Sequence, residues 1–540
     1  MKKLIPALFV ASCCVADFVD TRTIEYGLRE ETEVLVNSQG LAQHDLSIRG
    51  GSYTGTGISL NGLNLKVPYS AHFNSDLPLL CHLLSAPSVQ TGLGNASGHL
   101  TGTADYTLQA PGSLTQYSAG IGTQERYQAT AIGGGENVGG FIDWEKAHDV
   151  DHDANGSERF TGGATLRFLK DDWLLDFVAA SQSKEFGAQG YYGIAPDTYA
   201  EQSTYDRLLF LGATKGEMDG AYVRTSAAYR EFDSEYLIPS TLDASDVRSR
   251  YGAFAVEGRT LEIQHIALYL RGDLEHERVS EDFEADRSRG SLLAMPEARF
   301  ERFALKAGLN TVFQTEESAE WLPQAGVDWF ATDNATVYAT YSETVQQPDF
   351  QTLENNPLLQ MQKSQNTELG FRQFLSASLD WRVAGFHRRL ENASDWINGA
   401  ATDLGNLHIA GLDSTIRFYP SENLKLEAAY QWVHKDNDRS GGLYETDYPE
   451  HMLNLSAYWK FLDEFAIRFA QTLRLQTDNP ARSGSDFGAD ASLGLHYLPR
   501  YAKTIRLSLL VDNLWGSDFE AIPGLEPEPT TVTAGLAVQW

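Results

Sequence analysis

Alternation of apolar and polar residues over stretches of about ten residues is the feature that most limits what this chain can fold into. In the stretch 531–540, the even positions from Val532 to Trp540 are apolar and the odd positions are small or polar. The stretches 424–432 and 453–461 show the same pattern. Because successive side chains of a β-strand point to opposite faces, each stretch predicts a strand with one apolar face.

Three observations favour a membrane barrel over a soluble β-sandwich, which would also show alternation. The stretches have about nine to eleven residues, the length that a tilted strand needs to cross a bilayer. Aromatic residues such as Trp432 and Trp459 lie at strand ends, where membrane barrels carry interfacial girdles. The chain ends on Trp540, which resembles the terminal aromatic residue of outer-membrane barrels. No apolar run of about 18 residues is present, so the sequence predicts no transmembrane helix.

The alternation divides the chain into two regions. Residues 104–540 carry it and predict an all-β membrane protein, an antiparallel transmembrane β-barrel of about 22 strands. Each strand with its connection would then take about 20 residues, and a barrel of about 16 to 18 strands with longer loops is the alternative. Residues 17–103 are rich in glycine without such alternation, and they predict a small separate domain ahead of the barrel.

The N-terminus has the pattern of a secretory signal. Lys2 and Lys3 precede a short apolar stretch, and small residues follow up to Ala16. This pattern predicts a signal peptide over residues 1–16, with a lipoprotein cleavage before Cys13 as the alternative. Of the three cysteines, only Cys81 lies beyond that region, so no disulfide framework is expected.

Charge and motifs exclude several function classes. The formal net charge is −31, which disfavours nucleic acid as a partner because phosphates require a basic surface. The sequence contains no nucleophile elbow, phosphate-binding loop or metalloprotease helix motif. We therefore expect neither an enzyme nor a cofactor.

The strongest local signal lies in the N-terminal region, at Asp45–Tyr53, Ile58–Asn64 and Leu77–Leu79. These segments indicate strand, glycine turn, strand and an Asn-Gly turn. The string resembles the plug domain of TonB-dependent outer-membrane receptors. Its pieces SIRGGS, LNGLNL and HFNSDLP are similar to the vitamin B12 (cobalamin) receptor branch, with a shortened plug.

The barrel region carries further motifs of the same family. They are similar to the receptors' mid-barrel and closing strands, and they follow the family's order over residues 45–540. These motifs are Tyr338–Pro348, Asn366–Gly370, Asp395–Asn398, Tyr448–His451, Val511–Leu514 and, in a B12-like loop, Phe186–Gly193.

The resemblance implies a plug domain over residues 17–103 that fills the lumen of a barrel over residues 104–540. It also implies a monomeric receptor in the cell outer membrane, surrounded by outer-membrane lipid, which imports a large, scarce solute. A TonB-ExbB-ExbD complex would supply the energy. Cobalamin or another corrinoid is the first expectation for the solute, with a ferric siderophore as the alternative solute. An uncoupled passive channel is the alternative to a receptor.

The resemblance also suggests site residues. Arg49 would tie the plug to the barrel wall, with Glu368 as a lumen-facing partner. Substrate contacts would come from the outward-facing plug loops and their neighbours. These residues are Gln43, Asp45, Ser52, Tyr53, Tyr69, Ser70, Ala71 and His72.

Two features leave questions open. Asp149, Asp151 and Asp153 alternate in an acidic stretch, a pattern that could present oxygens to a structural calcium ion in an extracellular loop, although a solvated acidic loop is the simpler interpretation. The segments Thr21–Tyr26 and Glu33–Val36 are both candidates for a TonB box, and the second also reads as a plug strand.

Overall fold

The computed structural model describes residues 24–540, apart from residues 30, 41, 96–97, 111, 113–114, 149–155, 194–197, 219, 316, 438, 440 and 503. Among these residues there are two short helices, α1 (Ile24–Leu28) and α2 (Phe350–Asn355), along with short 3-10 turns. No helix in the described part of the chain is long and apolar enough to cross a lipid bilayer.

The N-terminal region forms a plug with two small sheets. Strands β1 and β2 make an antiparallel hairpin, and a second sheet has the order β4-β3-β6-β5, in which β3 and β6 are parallel. The bounds are β1 Leu35–Gln39, β2 Gln43–Ser47, β3 Thr56–Leu60, β4 Leu63–Leu65, β5 Ser88–Gln90 and β6 Gly102–Tyr106.

A closed antiparallel barrel of 22 strands, β7 to β28, surrounds the plug, as the alternation predicts. The first half comprises β7 Thr115–Gly122, β8 Tyr127–Gly134, β9 Val138–Ala147, β10 Ser157–Lys170, β11 Trp173–Gly187, β12 Glu201–Gly216, β13 Tyr222–Ile238, β14 Asp243–Arg259, β15 Ile266–Glu281, β16 Ala285–Arg299 and β17 Phe303–Gln314. The second half comprises β18 Glu320–Thr332, β19 Ala335–Gln346, β20 Gln362–Ser376, β21 Leu379–Ile397, β22 Ala400–Ser421, β23 Leu424–Asp436, β24 Pro449–Leu462, β25 Phe465–Gln476, β26 Phe487–Tyr497, β27 Ile505–Asp512 and β28 Thr531–Gln539.

The outer face of the barrel is apolar and exposed. Leu274 is 63% exposed, Leu292 62% and Trp321 61%, and each alternates with buried neighbours that point into the lumen. A soluble sandwich would bury such side chains in its core, whereas a membrane barrel presents them to lipid. The distribution therefore fits a membrane barrel and not the sandwich.

The strands are more variable in length than the pattern indicated, from 8 residues in β27 to 22 in β22. The expected nine to eleven residues correspond only to the apolar belt. Beyond it, the ladder of hydrogen bonds continues through residues that do not alternate, as in the end of β13, where the polar residues Asp233 to Glu235 precede the apolar run Tyr236 to Ile238.

The predicted boundary between the two domains, at residues 103 and 104, lies too early. Strand β6 pairs with β3 and β5, and Leu108 bridges to Leu84, so the plug extends past residue 104. The first barrel strand begins at Thr115. The alternation at Ala104, Tyr106 and Leu108 serves a buried plug sheet, and residue periodicity alone does not distinguish that sheet from the barrel.

The two rims of the barrel differ. The chain enters the barrel at Thr115 and ends beside it at Trp540, and their backbones exchange hydrogen bonds of 3.1 and 3.0 Å. We call this the turn rim. The five longest connections lie at the opposite loop rim and join β11 to β12, β19 to β20, β23 to β24, β25 to β26 and β27 to β28. In outer-membrane barrels, short turns face the periplasm and long loops face the exterior.

Candidate functional site

The plug presents a group of polar side chains toward the loop rim. Asp45, on β2, is the centre: its carboxylate accepts hydrogen bonds from Gln43 at 2.9 Å and Gln39 at 3.1 Å. His72 Nδ1 lies 2.8 Å from the same carboxylate. Gln43 also donates to the His72 carbonyl at 2.6 Å. This network fixes the hairpin β1–β2 to the 3-10 turn Ala71–Phe73.

Four aromatic rings cover this network, and we call them the mouth cluster: Tyr53, His72, Tyr192 and Tyr444. The Tyr53 and His72 rings stack at 3.8 Å with an interplanar angle of 12°. The Tyr444 ring lies edge-on to Tyr53 at 4.6 Å, and the Tyr192 ring lies 4.9 Å from His72. Tyr192 follows β11 and Tyr444 follows β23, so barrel loops and the plug build the cluster together. Flat aromatic faces beside fixed polar groups are typical of small-molecule sites.

The predicted substrate residues divide into two groups. Gln43, Asp45, Tyr53 and His72 converge as described above. Ser52 lies beside them, and its backbone N–H donates to Glu445 at 3.2 Å.

The remaining three predicted residues contribute no ring to the mouth cluster. The Tyr69 side chain turns away and donates to Glu354 at 3.1 Å, beside α2. Ser70 and Ala71 are buried at the start of the 3-10 turn, and Ser70 contributes its carbonyl to Phe73 N–H.

The site is closed and acidic. Tyr53 and His72 are 5% and 3% exposed, so the loops cover the plug in this state. Burial raises the pKa of the Tyr53 hydroxyl well above its usual range, and nearby Asp349 adds to the shift, so this side chain is a neutral hydrogen-bonding group. The Asp395 carboxylate fixes the loop that carries Tyr444, because it accepts a hydrogen bond from the Tyr444 backbone N–H at 3.0 Å.

Three members of the site were not among the sequence predictions. Gln39 was missed because it lies on β1, before the plug motif that begins at Asp45. Its side-chain amide donates to the Asp45 carboxylate and accepts from the Tyr192 backbone N–H. Tyr192 lies in the stretch Phe186–Gly193, whose resemblance to a receptor loop was a usable signal. Tyr444 carries no sequence signal, since only the fold of its loop brings it over the plug.

Arg49 lies on the side of the plug, in contact with the barrel wall. Its guanidinium donates to Glu368 at 2.6 Å and to Asp413 at 2.5 Å, and it lies over the Phe386 ring at 4.6 Å. The structure therefore brings the predicted pair Arg49 and Glu368 together and adds Asp413. Burial alone would lower the pKa of Arg49, but the two carboxylates reverse the effect and raise it, so the charge is permanent.

The backbone at this position is a tight left-handed turn. Arg49 has φ 54° and Gly50 has φ 65°. A Cβ at Gly50 would lie 3.1 Å from Val433 Cγ1 on the wall, so a glycine is needed both for the turn and for the close approach. The turn aims the Arg49 side chain at β20 and β22.

The acidic triplet Asp149, Asp151 and Asp153 lies outside the described residues. Within the part of the chain that the structure describes, no group of three His, Cys, Asp or Glu side chains could hold a metal ion. The calcium site stays a prediction for that loop. The candidate TonB box Glu33–Val36 overlaps β1, whose pairing with β2 agrees with the plug-strand interpretation.

Comparisons with known proteins agree on one family and one fold. The family model "TonB dependent receptor-like, beta-barrel" matches residues 90–514. No curated protein sequence matches the chain.

Several solved structures share the fold. A variant of the ferric enterobactin receptor PfeA from Pseudomonas aeruginosa has a TM-score of 0.75 and 14% identity over 96% of both chains. The iron transporter FrpB from Neisseria meningitidis has a TM-score of 0.75 and 12% identity over 97% of both chains. The siderophore receptor PirA from Acinetobacter baumannii has a TM-score of 0.73 and 12% identity, over 97% of this chain and 96% of that one. At these identities, the similarity establishes the fold alone.

Proposed function

Because this chain belongs to the TonB-dependent receptor family, a family of receptors and transporters, we propose that it imports a large, scarce solute across the outer membrane. The observation that carries the proposal is the pairing of a filled lumen with a closed polar and aromatic site at the loop rim. The plug blocks free diffusion, and the mouth cluster offers a place to capture a solute before it passes.

A blocked lumen requires work to open. The buried pair of Arg49 with Glu368 and Asp413 holds the plug to the wall, and separating a buried charge from its partners costs several kcal/mol, roughly 3–5 when one partner is lost. The outer membrane has no ATP, so we propose that a TonB-ExbB-ExbD complex of the inner membrane supplies this work. The receptor acts as a monomer, because one chain closes the barrel and fills it.

A corrinoid is the solute that we propose first. The plug motifs support it, and so does the electrostatic character of the mouth. Asp45, Asp349 and Asp395 surround the aromatic rings, and the whole chain carries a formal charge of −31. Such a field disfavours an anionic ferric complex and tolerates a neutral or cationic solute. A ferric siderophore without net negative charge is the second candidate, and the flat aromatic rings would serve it equally well.

An uncoupled passive channel is the alternative from another class. The anchored plug argues against it, because a pore that conducts passively has no use for a domain that closes it.

Energy-dependent uptake in cells tests the proposal. We expect cells that carry the receptor to accumulate labelled cyanocobalamin, and we expect accumulation to stop when TonB is deleted or the proton gradient is collapsed. Binding to the cell surface should survive both treatments. Uptake that persists without TonB would refute energy coupling and favour the passive channel.

A further inference from the structure

Strand β21 carries a buried cation that has no opposite charge beside it. The Arg388 side chain faces the lumen and is 2% exposed. Its Nη2 donates to the Thr101 carbonyl of the plug at 3.4 Å, which is long for a hydrogen bond. Among the residues that the structure describes, neither its Nε nor its Nη1 has a hydrogen-bond partner. Because an arginine side chain stays charged, these N–H groups require an acceptor.

The acidic groups whose charges reach Arg388 already hold other cations. These acids are Glu368 and Asp413, which pair with Arg49, and Glu445, which pairs with Lys435. A like charge is also close, since the guanidinium carbons of Arg49 and Arg388 lie 4.6 and 5.7 Å from the centre of the same Phe386 ring. The carboxylates of this part of the lumen therefore leave Arg388 without a contact partner.

Most of the other neighbours of Arg388 are apolar. Phe386 and Leu390 flank it on the same face of β21, and Ile409 is its partner on β22. These three residues belong to one buried apolar cluster, which also contains Leu100 of the plug. A charge buried in such surroundings is costly unless an opposite charge lies with it.

A second group with N–H donors lies on the remaining side of Arg388. Asn366 is the partner of Arg388 on β20, and it is 6% exposed. Opposite residues on one face of an antiparallel pair have Cβ atoms about 4.5–5.5 Å apart. Within the described part of the chain, neither Nδ2 nor Oδ1 of Asn366 has a hydrogen-bond partner. A cation and an amide thus present unused donors to the same region.

The plug backbone is held by its own hydrogen bonds and does not supply the missing acceptor. The Thr101 N–H and hydroxyl both donate to the Gly55 carbonyl at 2.9 Å. The Asn95 side chain donates to the His99 carbonyl at 2.5 Å. The acceptor for Arg388 therefore has to come from outside the chain.

A small ion can reach this region through a cavity between the plug and the wall. The cavity has a volume of about 550 Å³, and Thr340 and Leu93 line it together with Phe330, near the turn rim. Asn366 lies close to it, because a Cβ on Gly92 would be 3.5 Å from Thr340 Oγ1 and 3.3 Å from Asn366 Nδ2.

We propose that Arg388 and Asn366 bind a small monovalent inorganic anion of the size of chloride, which joins the wall to the plug at Thr101. Hydrogen bonds from a guanidinium to an anion are stronger than those to a neutral acceptor, and the anion also neutralises the buried charge. Water would satisfy the N–H groups and leave the charge. A multiply charged oxyanion would need more donors than the apolar neighbours provide. The inference does not depend on which solute the receptor imports.

Bromide in place of chloride tests the site directly. In crystals of the purified protein grown in sodium bromide, we expect an anomalous bromine peak beside Nε and Nη1 of Arg388. Arg388→Gln should remove the peak. Arg389→Gln is the matched control and should keep it, because this neighbouring side chain is 43% exposed and pairs with Glu391. Water alone at the site, or an adventitious peak that remains in Arg388→Gln, would overturn the proposal.

Hydrogen exchange in solution gives an independent answer, also if Arg388→Gln folds poorly. The rate of exchange of the plug peptide 98–106 is followed in sub-denaturing urea as chloride replaces gluconate, an anion too large for the site, at constant ionic strength. An anion that binds only the seated plug slows opening by a factor of 1 + [anion]/Kd, about elevenfold at ten times the Kd. We expect this saturable slowing in the unmodified protein and in Arg389→Gln, and a smaller one in Asn366→Ala.

Equal exchange rates of the unmodified protein in chloride and gluconate would show that no anion stabilises the seated plug, contrary to the proposal. Slowing of the same size in Asn366→Ala would place the anion elsewhere and would also contradict it. Both measurements use the receptor without any solute, so their outcome is separate from the test of import.

Discussion

The Arg49 guanidinium donates to the Glu368 carboxylate at 2.6 Å, although 319 residues separate the two in the sequence. Arg49 belongs to a plug turn and Glu368 to a barrel strand, so this contact joins the plug to the barrel wall. Asp413 also accepts from Arg49, and it lies on β22, which is separated from the Glu368 strand β20 by β21.

Replacing Arg49 with alanine should loosen the plug by about 3–5 kcal/mol, because it leaves Glu368 and Asp413 buried without a cation. We expect the pore to open at a lower urea concentration in planar-bilayer recordings. Arg207→Ala is the matched control, since Arg207 is 47% exposed and its surface pair with Glu231 should contribute less than about 1 kcal/mol. Adding Glu368→Gln and Asp413→Asn to Arg49→Ala should recover much of the loss. Equal effects of the Arg49 and Arg207 variants would contradict the account.

Loss of either stacked ring at the mouth should weaken solute binding. Tyr53→Ala and His72→Ala each remove one partner of the 3.8 Å stack, and we expect each to raise the Kd for cyanocobalamin about tenfold, which corresponds to about 1.4 kcal/mol. Tyr69→Ala is the control, because its side chain points toward Glu354 and away from the cluster. A Tyr69 variant that weakens binding as much as the other two would place the solute elsewhere.

Acid should loosen the plug through His99. Burial lowers the pKa of His99 from 6.5 to about 4, and Lys66 adds to the effect, while Glu275 opposes it. The unfolded chain therefore takes up a proton at a pH where the folded plug does not. Stability is fully present above about pH 6.5 and falls as the pH drops toward 4, by up to about 3 kcal/mol.

The urea concentration that opens the pore, measured at pH 7 and pH 4.5, checks this effect. His99→Gln should flatten part of the pH dependence, whereas His276→Gln, an exposed histidine on β15, should leave it unchanged. If the two variants respond alike to acid, His99 is not the titrating group.

Much of the barrel was predictable because the membrane imposes a simple rule on each strand. The alternation in 424–432 and 453–461 gave the correct lipid and lumen faces, and the Asn61–Gly62 turn has the two left-handed residues that join β3 to β4. Plug contacts were less accessible. The partner Glu368 could be inferred from its position opposite apolar neighbours, but Asp413 could not, since many lumen-facing acids were equally suitable.

The loops were the least predictable part. Tyr444 reaches Tyr53 only because Asp395 and Thr446 hold its loop over the plug, a contact that no local pattern encodes. The predicted domain boundary after residue 103 was placed too early because local alternation does not show which strands pair. A strand of the plug sheet and a strand of the barrel both alternate, and only the pairing partners distinguish them.

The acidic triplet yields a prediction of its own. We expect Ca²⁺ to bind the loop of Asp149, Asp151 and Asp153 with a Kd on the order of 10⁻⁴–10⁻³ M, as in extracellular modules. Calorimetric titration of the purified barrel after EDTA treatment checks this, with the triple Asp→Asn variant as control. Identical heats from the two proteins would mean that the loop is only a solvated acidic surface.

A binding titration of the purified, detergent-folded barrel with cyanocobalamin, beside a panel of ferric siderophores of differing charge, would identify the solute. We expect saturable binding of cyanocobalamin at nanomolar concentrations, weakened by Tyr53→Ala, with anionic ferric complexes bound far more weakly. Tight binding of an anionic ferric complex, with no binding of cyanocobalamin, would contradict the assignment of the solute and the electrostatic argument for it.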